Sequence, residues 1–314
     1  MIDVLIVILT YNQENYIEKA VQSVLMQETR FNYQLVVIND SSTDNTLNVL
    51  KKYNSNIEVY TTAKNLGAAY AFLDFYKGVQ NQYKYIALLD GDDEWLVNYK
   101  LQSQYDFLEK HSDYILTTHD AINCNEYGEK IDLYSTRYHI PEVSGFEAVL
   151  EKQRWPTSSF FMRNFLVDSS YENLIQHYKY NSDWILTIYL STLGKIHFHN
   201  QALSKRTIRL VGRNQTVGGD NYLKFQIKVL KQLKYLQFLK NHINEVNFAL
   251  AGRYLKLFDY YREKGIYKPI LYINFMLYFK PTSFVELKFL AHTIKKPINA
   301  FFFKTYFEDF SKKN

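Results

Sequence analysis

The chain has 314 residues, of which 47% are hydrophobic and 22% charged, with a formal net charge of +5. That length and balance exclude a disordered tail and a small stapled scaffold, and they suit one large core or a domain with a helical appendage. A single cysteine, Cys124, excludes an internal disulfide framework and fits a reducing compartment.

Taken in chain order, residues 4–10 form a continuous apolar run ending in Thr10, and residues 17–26 carry apolar side chains at helical spacing. A second apolar strand, 34–39, closes on Asp40-Ser41-Ser42, and a helix is expected over 43–53 with Ser42 or Thr43 near its cap. A short strand at 57–61, a helix at 68–79 and an apolar strand at 85–89, ending at Asp90, continue the rhythm. Apolar strands alternating with helices imply a largely parallel sheet covered on both faces. Thr10, Asp40 and Asp90 then all lie just past carboxyl ends of strands, the edge where open α/β sheets bind ligands.

The next stretch is more mixed: a strand at 114–118, a polar loop at 123–130, a short helix at 145–150 and a strand at 157–162. Tyr180-Asn181-Ser182-Asp183 precedes a helix at 184–193, a strand follows at 195–204, and 211–220 reads as a glycine-bearing mobile loop. From Tyr222 the chain turns helical and basic, with Leu223, Ile227, Leu230, Leu233 and Leu236 at helical spacing and Pro269, Pro281 and Pro297 dividing the tail. Residues 221–314 hold 17 Lys/Arg against 6 Asp/Glu, a balance of +11, while the first 220 balance at −6. An acidic body with a basic tail suggests chemistry in front and attachment to something anionic behind. The N-terminus reads as a buried strand rather than a signal peptide. The longest apolar runs, such as 270–279, are far short of the roughly 20 residues that span a bilayer. A cytoplasmic address is expected.

The sharpest chemical feature is Asp90-Gly91-Asp92-Asp93. Three carboxylates in four residues repel one another, so a fold keeps them convergent most readily around a cation, here Mg²⁺ or Mn²⁺ with phosphate oxygens. The turn Asn39-Asp40-Ser41-Ser42-Thr43-Asp44 offers a carboxylate for a base imide N–H, although it also reads as a generous helix cap.

In this order the motifs resemble those of the family 2 glycosyltransferases. The opening pattern of that family is matched by Thr10-Tyr11-Asn12-Gln13-Glu14-Asn15-Tyr16-Ile17, and a second by Ser23-Val24-Leu25-Met26-Gln27. Its Asp-rich turn appears as Asn39 to Thr46, its Asn-x-Gly as Asn65-Leu66-Gly67, and its acidic stretch as Leu89 to Trp95. The match thins after Leu101.

The resemblance implies an α/β fold of the GT-A nucleotide-diphospho-sugar transferase type, Rossmann-like with a mixed, mainly parallel sheet and a C-terminal helical basic extension. It divides the chain into a catalytic domain, 1–220, with a nucleotide-binding half (1–100) and an acceptor-binding half (101–220), followed by a basic region, 221–314. It implies inverting transfer of a sugar from a nucleotide-diphosphate donor, a UDP-sugar first, to a glycan or lipid-linked saccharide in cell-surface polysaccharide synthesis, with Mn²⁺ or Mg²⁺. Thr10 and Asp40 would sit at the base and ribose, with Asn12 and Glu14 of the opening motif among the donor-binding residues. Asp90 would approach the ribose or the metal shell, Asp92 would ligate the cation, and Asp93 would support the loop. Ser182-Asp183-Trp184 stands where the family carries Glu-Asp-aromatic, which makes Asp183 the base for the acceptor hydroxyl.

Three departures redistribute roles. Asn39 replaces the first Asp of the usual pair. Phe72 stands where many members have Arg, leaving phosphate neutralisation to Lys64, Arg206 or the 209–213 loop. Lys205-Arg206-Thr207-Ile208 lacks the usual histidine, and His197 and His199 read as structural residues of a strand.

The alternatives separate on sequence. A nucleotidyltransferase needs a glycine-rich, basic loop after the first strand, and residues 10–18 contain no glycine. A catalytically inactive, nucleotide-sugar-binding scaffold would accommodate the basic tail but leaves the acidic triad and Asp183 without a purpose. The tail matches no nucleic-acid recognition module. It suits either an anionic membrane surface, with segments 222–239 and 272–280 at the interface, or a homo-oligomer contact.

Overall fold

The computed structural model describes residues 2–137, 140–151, 155–167, 169–176, 182–209 and 220–266, with single positions between 268 and 278. Strand β1 (Val4–Thr10) is buried along its whole length and runs parallel between β2 (Tyr33–Asn39) and β4 (Tyr85–Asp90). Side chains alternate across a strand, so Val4, Ile6 and Ile8 enter one core while Leu5, Val7 and Leu9 enter the other. That double burial is why the sequence shows an unbroken apolar run here. Helices α1 (Ile17–Leu25) and α2 (Thr46–Leu50) pack with the first set and α3 (Ala68–Tyr76) with the second. Strand β3 (Glu58–Thr61) runs parallel to β2 at the edge.

Past β4 the sheet becomes mixed. Strand β9 (Phe161–Arg163) is antiparallel between β4 and β6 (Tyr114–Cys124), and β10 (Lys195–Thr207) lies parallel to β6. The short β5 (Glu94–Trp95) and β8 (Val143–Ser144) pair antiparallel with β10, and β7 (Lys130–Leu133) pairs with β6. The order is β3-β2-β1-β4-β9-β6-β10-β5 in a ten-stranded sheet. Helix α4 (Lys100–Lys110) joins the α1 face; α6 (Phe146–Glu151), α7 (Ser169–Gln176) and α8 (Ser182–Ser191) join the α3 face, and the single turn α5 (Tyr134–Arg137) follows β7.

Two elements differ from the sequence expectation for identifiable reasons. Strand β6 extends to Cys124 rather than stopping at 118, because its polar side chains are buried and hydrogen-bonded. Thr118 Oγ1 donates to His197 O (2.8 Å), Asp120 accepts from the Ser135 N–H (2.9 Å) and hydroxyl (2.6 Å), and Asn123 Nδ2 donates to Asp132 Oδ1 (2.6 Å). Helix α2 begins at Thr46 rather than 43, because Asp44 Oδ1 accepts the Thr46 N–H (3.0 Å), while residues 42 and 43 are tied to the neighbouring loop. The glycine-bearing loop lies, but for Asp220, outside the described residues.

The basic region opens with helices fused to the main core. Ile227, Val229, Leu230 and Leu233 of α9 (Asp220–Leu233) are buried in the same cluster as α3 and α8. On α10 (Ile243–Glu263) the buried Arg253 donates to Gln226 Oε1 (2.9 Å), Leu150 O (2.7 Å) and Glu151 O, stitching α9 and α10 to the end of α6. The expectation that 222–239 turns an apolar face to a bilayer is therefore corrected: the core occupies that face. Of segment 272–280, positions 274, 275 and 278 are described and the rest lies outside the described residues. Among the described residues no helix is long and apolar enough to cross a membrane.

Candidate active site

Strands β1 and β2 end side by side, with Thr10 O accepting the Asp40 N–H (2.9 Å), and their loops are locked together. Asn12 adopts a left-handed φ of 52°, a conformation asparagine tolerates better than most residues. Its N–H donates to Ser42 Oγ (3.0 Å) and its Oδ1 accepts the Thr43 N–H (2.8 Å). Glu14 repeats the arrangement: its N–H donates to Asp44 Oδ2 (3.1 Å), and its Oε2 accepts the Asn45 N–H (2.8 Å). Both residues, expected at the donor, use these groups to clamp the loops after β1 and β2 together.

Asp40 is buried and well supplied with donors. Its Oδ1 accepts from Thr62 Oγ1 (3.0 Å) and the Leu66 N–H (2.8 Å), and its Oδ2 accepts the Gly67 N–H (2.7 Å). A carboxylate offers about four acceptor positions, so one remains on Oδ2. Gly67 reaches this contact at a φ of 88°, which explains the Asn-x-Gly signal. Lys64 is exposed on the same loop.

The acidic loop begins where β4 ends. The Gly91 N–H donates to Leu9 O (2.8 Å), drawing the loop against β1. A Cβ at position 91 would stand 2.5 Å from Gln13 Oε1 and 3.0 Å from Thr10 Oγ1, so the close approach requires glycine. Among the described residues those two buried oxygens have no hydrogen-bond partner, leaving unsatisfied polar atoms where the two loops meet. Asp93 turns back into the protein: its Oδ1 accepts the Thr207 N–H (3.0 Å), and burial pushes its carboxyl well above the usual range. Burial, and then the Asp92 charge, raise Asp90 to about 7 against the pull of Arg206.

The balancing cations arrive from β10. Its pairing with β5 sets Lys205 opposite Glu94, and the side chains form an ion pair at 2.9 Å. Arg206, next in the chain, is half-buried, which opposes its charge, yet the neighbouring Asp93, Tyr134 and Asp90 hold its guanidinium above its usual range. Arg209 Nη2 lies 3.0 Å from Asp92 Oδ2 and over the Tyr16 ring at 5.8 Å. Asp183 occupies the first turn of α8, where its Oδ1 accepts the Trp184 N–H (2.9 Å) while the indole Nε1 donates to Val149 O (2.7 Å). The Asp183 carboxylate is among the charges that raise Asp90, so it lies within electrostatic reach of the acidic loop.

The structure thus gathers Asp90, Asp92, Arg206 and Asp183 at one sheet edge, with Thr10 and Asp40 along the same edge; Asn12 and Glu14 brace it, and Lys64 stands on its rim. Among the described residues no group of three or more His, Cys, Asp or Glu side chains is placed to hold a metal ion. His197 is structural: its ring stacks on Phe107 at 3.9 Å, and burial pushes it down to about 4. The sequence reading missed the direct Arg209–Asp92 pair, which alternate basic residues at the end of a strand could have signalled. It also missed the Glu94–Lys205 pair.

A Rossmann-like sheet with an acidic loop after β4 and a carboxylate heading α8 defines the GT-A class of nucleotide-sugar folds. The chain belongs to glycosyl transferase family 2, whose sequence profile matches residues 5–176, more than half its length. It is similar to the Escherichia coli UDP-Glc:alpha-D-GlcNAc-diphosphoundecaprenol beta-1,3-glucosyltransferase WfgD, 36% identical over 122 residues, covering 38% of this chain and 47% of WfgD. Its fold is similar to that of S. aureus TarS in complex with UDP-GlcNAc, at a TM-score of 0.56 and 16% identity, covering 84% of this chain and 75% of the other. It is also similar to that of the Pyrobaculum calidifontis mannosyltransferase PcManGT with GDP-Man and Mn²⁺, at 0.55 and 11%, covering 83% and 74%. The chain spans less than half the length of the curated relatives it matches first.

Proposed function

We propose that this chain is an inverting glycosyltransferase passing a sugar from a UDP-sugar to a hydroxyl of a glycan or lipid-linked saccharide in cell-surface polysaccharide synthesis. One observation carries the reading: two guanidinium groups suited to a diphosphate, Arg206 and Arg209, and two carboxylates suited to a cation, Asp90 and Asp92, adjoin a helix-borne carboxylate, Asp183. The remaining acceptor position on Asp40 suits the imide N–H of uracil. The name of WfgD, which begins with its UDP-Glc donor, supports a uridine donor.

Asp90 and Asp92 suit Mn²⁺ or Mg²⁺. They are hard oxygen ligands whose crowding a cation would relieve, and Asp92 already draws the Arg209 guanidinium. Such ions are commonly held by one or two carboxylates together with substrate phosphates, so Asp90 and Asp92 would hold the ion with the diphosphate of the donor. When bound, it supplies charge stabilisation to the departing nucleoside diphosphate. The protein's own residues do the rest. Arg206 and Arg209 neutralise phosphate oxygens, and Asp93 holds the loop through Thr207. Asp183 takes the proton of the acceptor hydroxyl as it attacks the anomeric carbon from the face opposite the leaving group, which inverts the configuration.

The test is a hydrolysis and transfer screen across nucleotide sugars with Mn²⁺. Turnover of one UDP-sugar well above the others is expected. Nucleotide binding without turnover of any donor would instead identify an inactive scaffold.

For 221–314 the proposal is attachment of the enzyme to the inner face of the cell membrane by charge rather than by insertion. The apolar face of α9 is buried, whereas the Lys224 side chain is 51% exposed and Lys228 and Lys231 also face outward. Basic residues near an anionic surface are each worth about 1 kcal/mol, and salt screens them. Co-sedimentation with phosphatidylglycerol vesicles is expected at low salt and lost at high salt, with none on phosphatidylcholine. A salt-resistant dimer that ignores vesicles would place the tail at a homo-oligomer interface.

A further inference from the structure

Beside the acidic loop, on the side bordered by α1, lies a small cleft of about 70 Å³ that opens to solvent at its rim. Asp92, Asp93 and Thr207 form one wall, Tyr16 and Lys19 another, and the turn between β6 and β7 forms its outer rim. At the tip of that turn Tyr127 is 85% exposed, among the most exposed large hydrophobic side chains described. Exposed rings need no explanation when they stand alone on mobile loops, but the backbone that presents this one is held in place. Asn125 Oδ1 accepts the N–H groups of Tyr127 (3.0 Å) and Glu129 (2.9 Å), and Asn125 Nδ2 donates to Glu129 Oε2 (2.7 Å). Backbone bonds from Asn125 N to Glu129 O (3.0 Å) and from Gly128 N to Asn125 O (3.0 Å) close the turn. Gly128, at a φ of 86°, lies against Lys205, whose Nζ would sit 3.5 Å from an added Cβ. Lys205 is in turn fixed by Glu94. A chain of contacts therefore runs from the acidic loop to the turn that presents Tyr127.

We infer that Tyr127 is a stacking platform for an uncharged saccharide in this cleft, a glycan-binding subsite next to the transfer centre; this rests on the transferase reading above. Aromatic rings offer a flat apolar face to the C–H face of a sugar at low entropic cost. Asn125, Glu126 and Lys19 around it provide donors and acceptors for hydroxyl groups. The charges of the lining offset one another: Asp92 pairs with Arg209 and Glu94 with Lys205, Asp93 turns inward to Thr207, and Glu126 and Lys19 remain with opposite signs, so the cleft carries no net positive charge. Such a lining disfavours a polyanionic chain, and the subsite takes neutral sugars. Because the cleft shares Asp92 with the donor side, a saccharide seated there reaches toward the place where transfer occurs.

Trp95, Trp155 and Trp184 are all buried, so Tyr127→Trp introduces a single exposed indole, and the red-shifted, acrylamide-quenchable part of the emission reports on this rim. With the full chain and UDP present, millimolar malto-, cello- and chitotetraose are titrated, with oligogalacturonate as the anionic control. A blue shift and protection from acrylamide by at least one neutral tetrasaccharide, and none by oligogalacturonate, is the expected result. Saturation-transfer NMR with that sugar should then show at least about tenfold weaker binding for Tyr127→Ala and near-native binding for Tyr127→Phe. No response to any neutral tetrasaccharide, an equal response to oligogalacturonate, or unchanged binding by Tyr127→Ala would each overturn the inference. Calorimetry of the wild-type chain with UDP separates the two levels. UDP binding without a saccharide response defeats the subsite alone, whereas loss of both defeats the reading on which it rests.

Discussion

Asp183→Asn is expected to lower sugar transfer by about 10²–10⁴-fold, the usual worth of a positioned general base, while the enzyme continues to bind UDP. The substitution is nearly isosteric and keeps the oxygen that accepts the Trp184 N–H, so that hydrogen bond at the first turn of α8 is retained. The Trp184 indole still anchors the helix through Val149 O. What disappears is the capacity to receive the acceptor proton. Donor binding depends on the Asp40 pocket and the acidic loop, which lie on other elements and lose no hydrogen bond. Initial rates with donor and acceptor, set beside calorimetric UDP affinity, read the two effects separately. Wild-type transfer by the variant would remove Asp183 from the mechanism, and a parallel loss of UDP affinity would recast it as a donor-site residue.

What was legible in the sequence follows from where side chains are buried. Strands covered on both faces announce themselves as unbroken apolar runs, so β1, β2 and β4 and the polar residues at their ends could be read directly. The Asn65-Leu66-Gly67 signal proved physical as well, since Leu66 and Gly67 present their N–H groups to Asp40. The second half of the sheet was harder because it buries polar residues. Thr118, Asp120 and Asn123 look like the end of a strand until their partners on β10, α5 and β7 are known. Lys100 is the extreme case: it is fully buried over the Trp95 ring at 3.8 Å, and burial pushes its amine well below the usual range. No local pattern distinguishes such a lysine from a solvated one. The pairing of Arg209 with Asp92 likewise depends on the register between β10 and β5, a long-range fact that spacing along the chain does not encode.

Asp92→Asn is expected to abolish turnover and to weaken Mn²⁺ binding in the presence of UDP, with the fold intact. Asp92 is partly exposed, with 16% of its side chain accessible, and its recorded ion pair is with Arg209, itself 29% accessible. Asparagine keeps the side chain's volume and an oxygen for the Arg209 guanidinium and relieves repulsion within the acidic loop, so the thermal midpoint should move by no more than a few degrees. Its neighbours differ. Asp93 is buried and holds the Thr207 N–H, so Asp93→Asn tests the loop rather than the ion, and Asp92 is the cleaner probe. Chelation of the wild-type enzyme should reproduce the loss of turnover, and added Mn²⁺ should restore it. Electron paramagnetic resonance of bound Mn²⁺ gives a readout independent of catalysis: the UDP-dependent signal of the wild type should be absent from the variant. If the wild type keeps full activity in excess chelator, the cation has no part in the reaction. Arg206 and Arg209 would then carry the whole diphosphate charge, and Arg209→Gln would replace Asp92→Asn as the substitution that stops turnover.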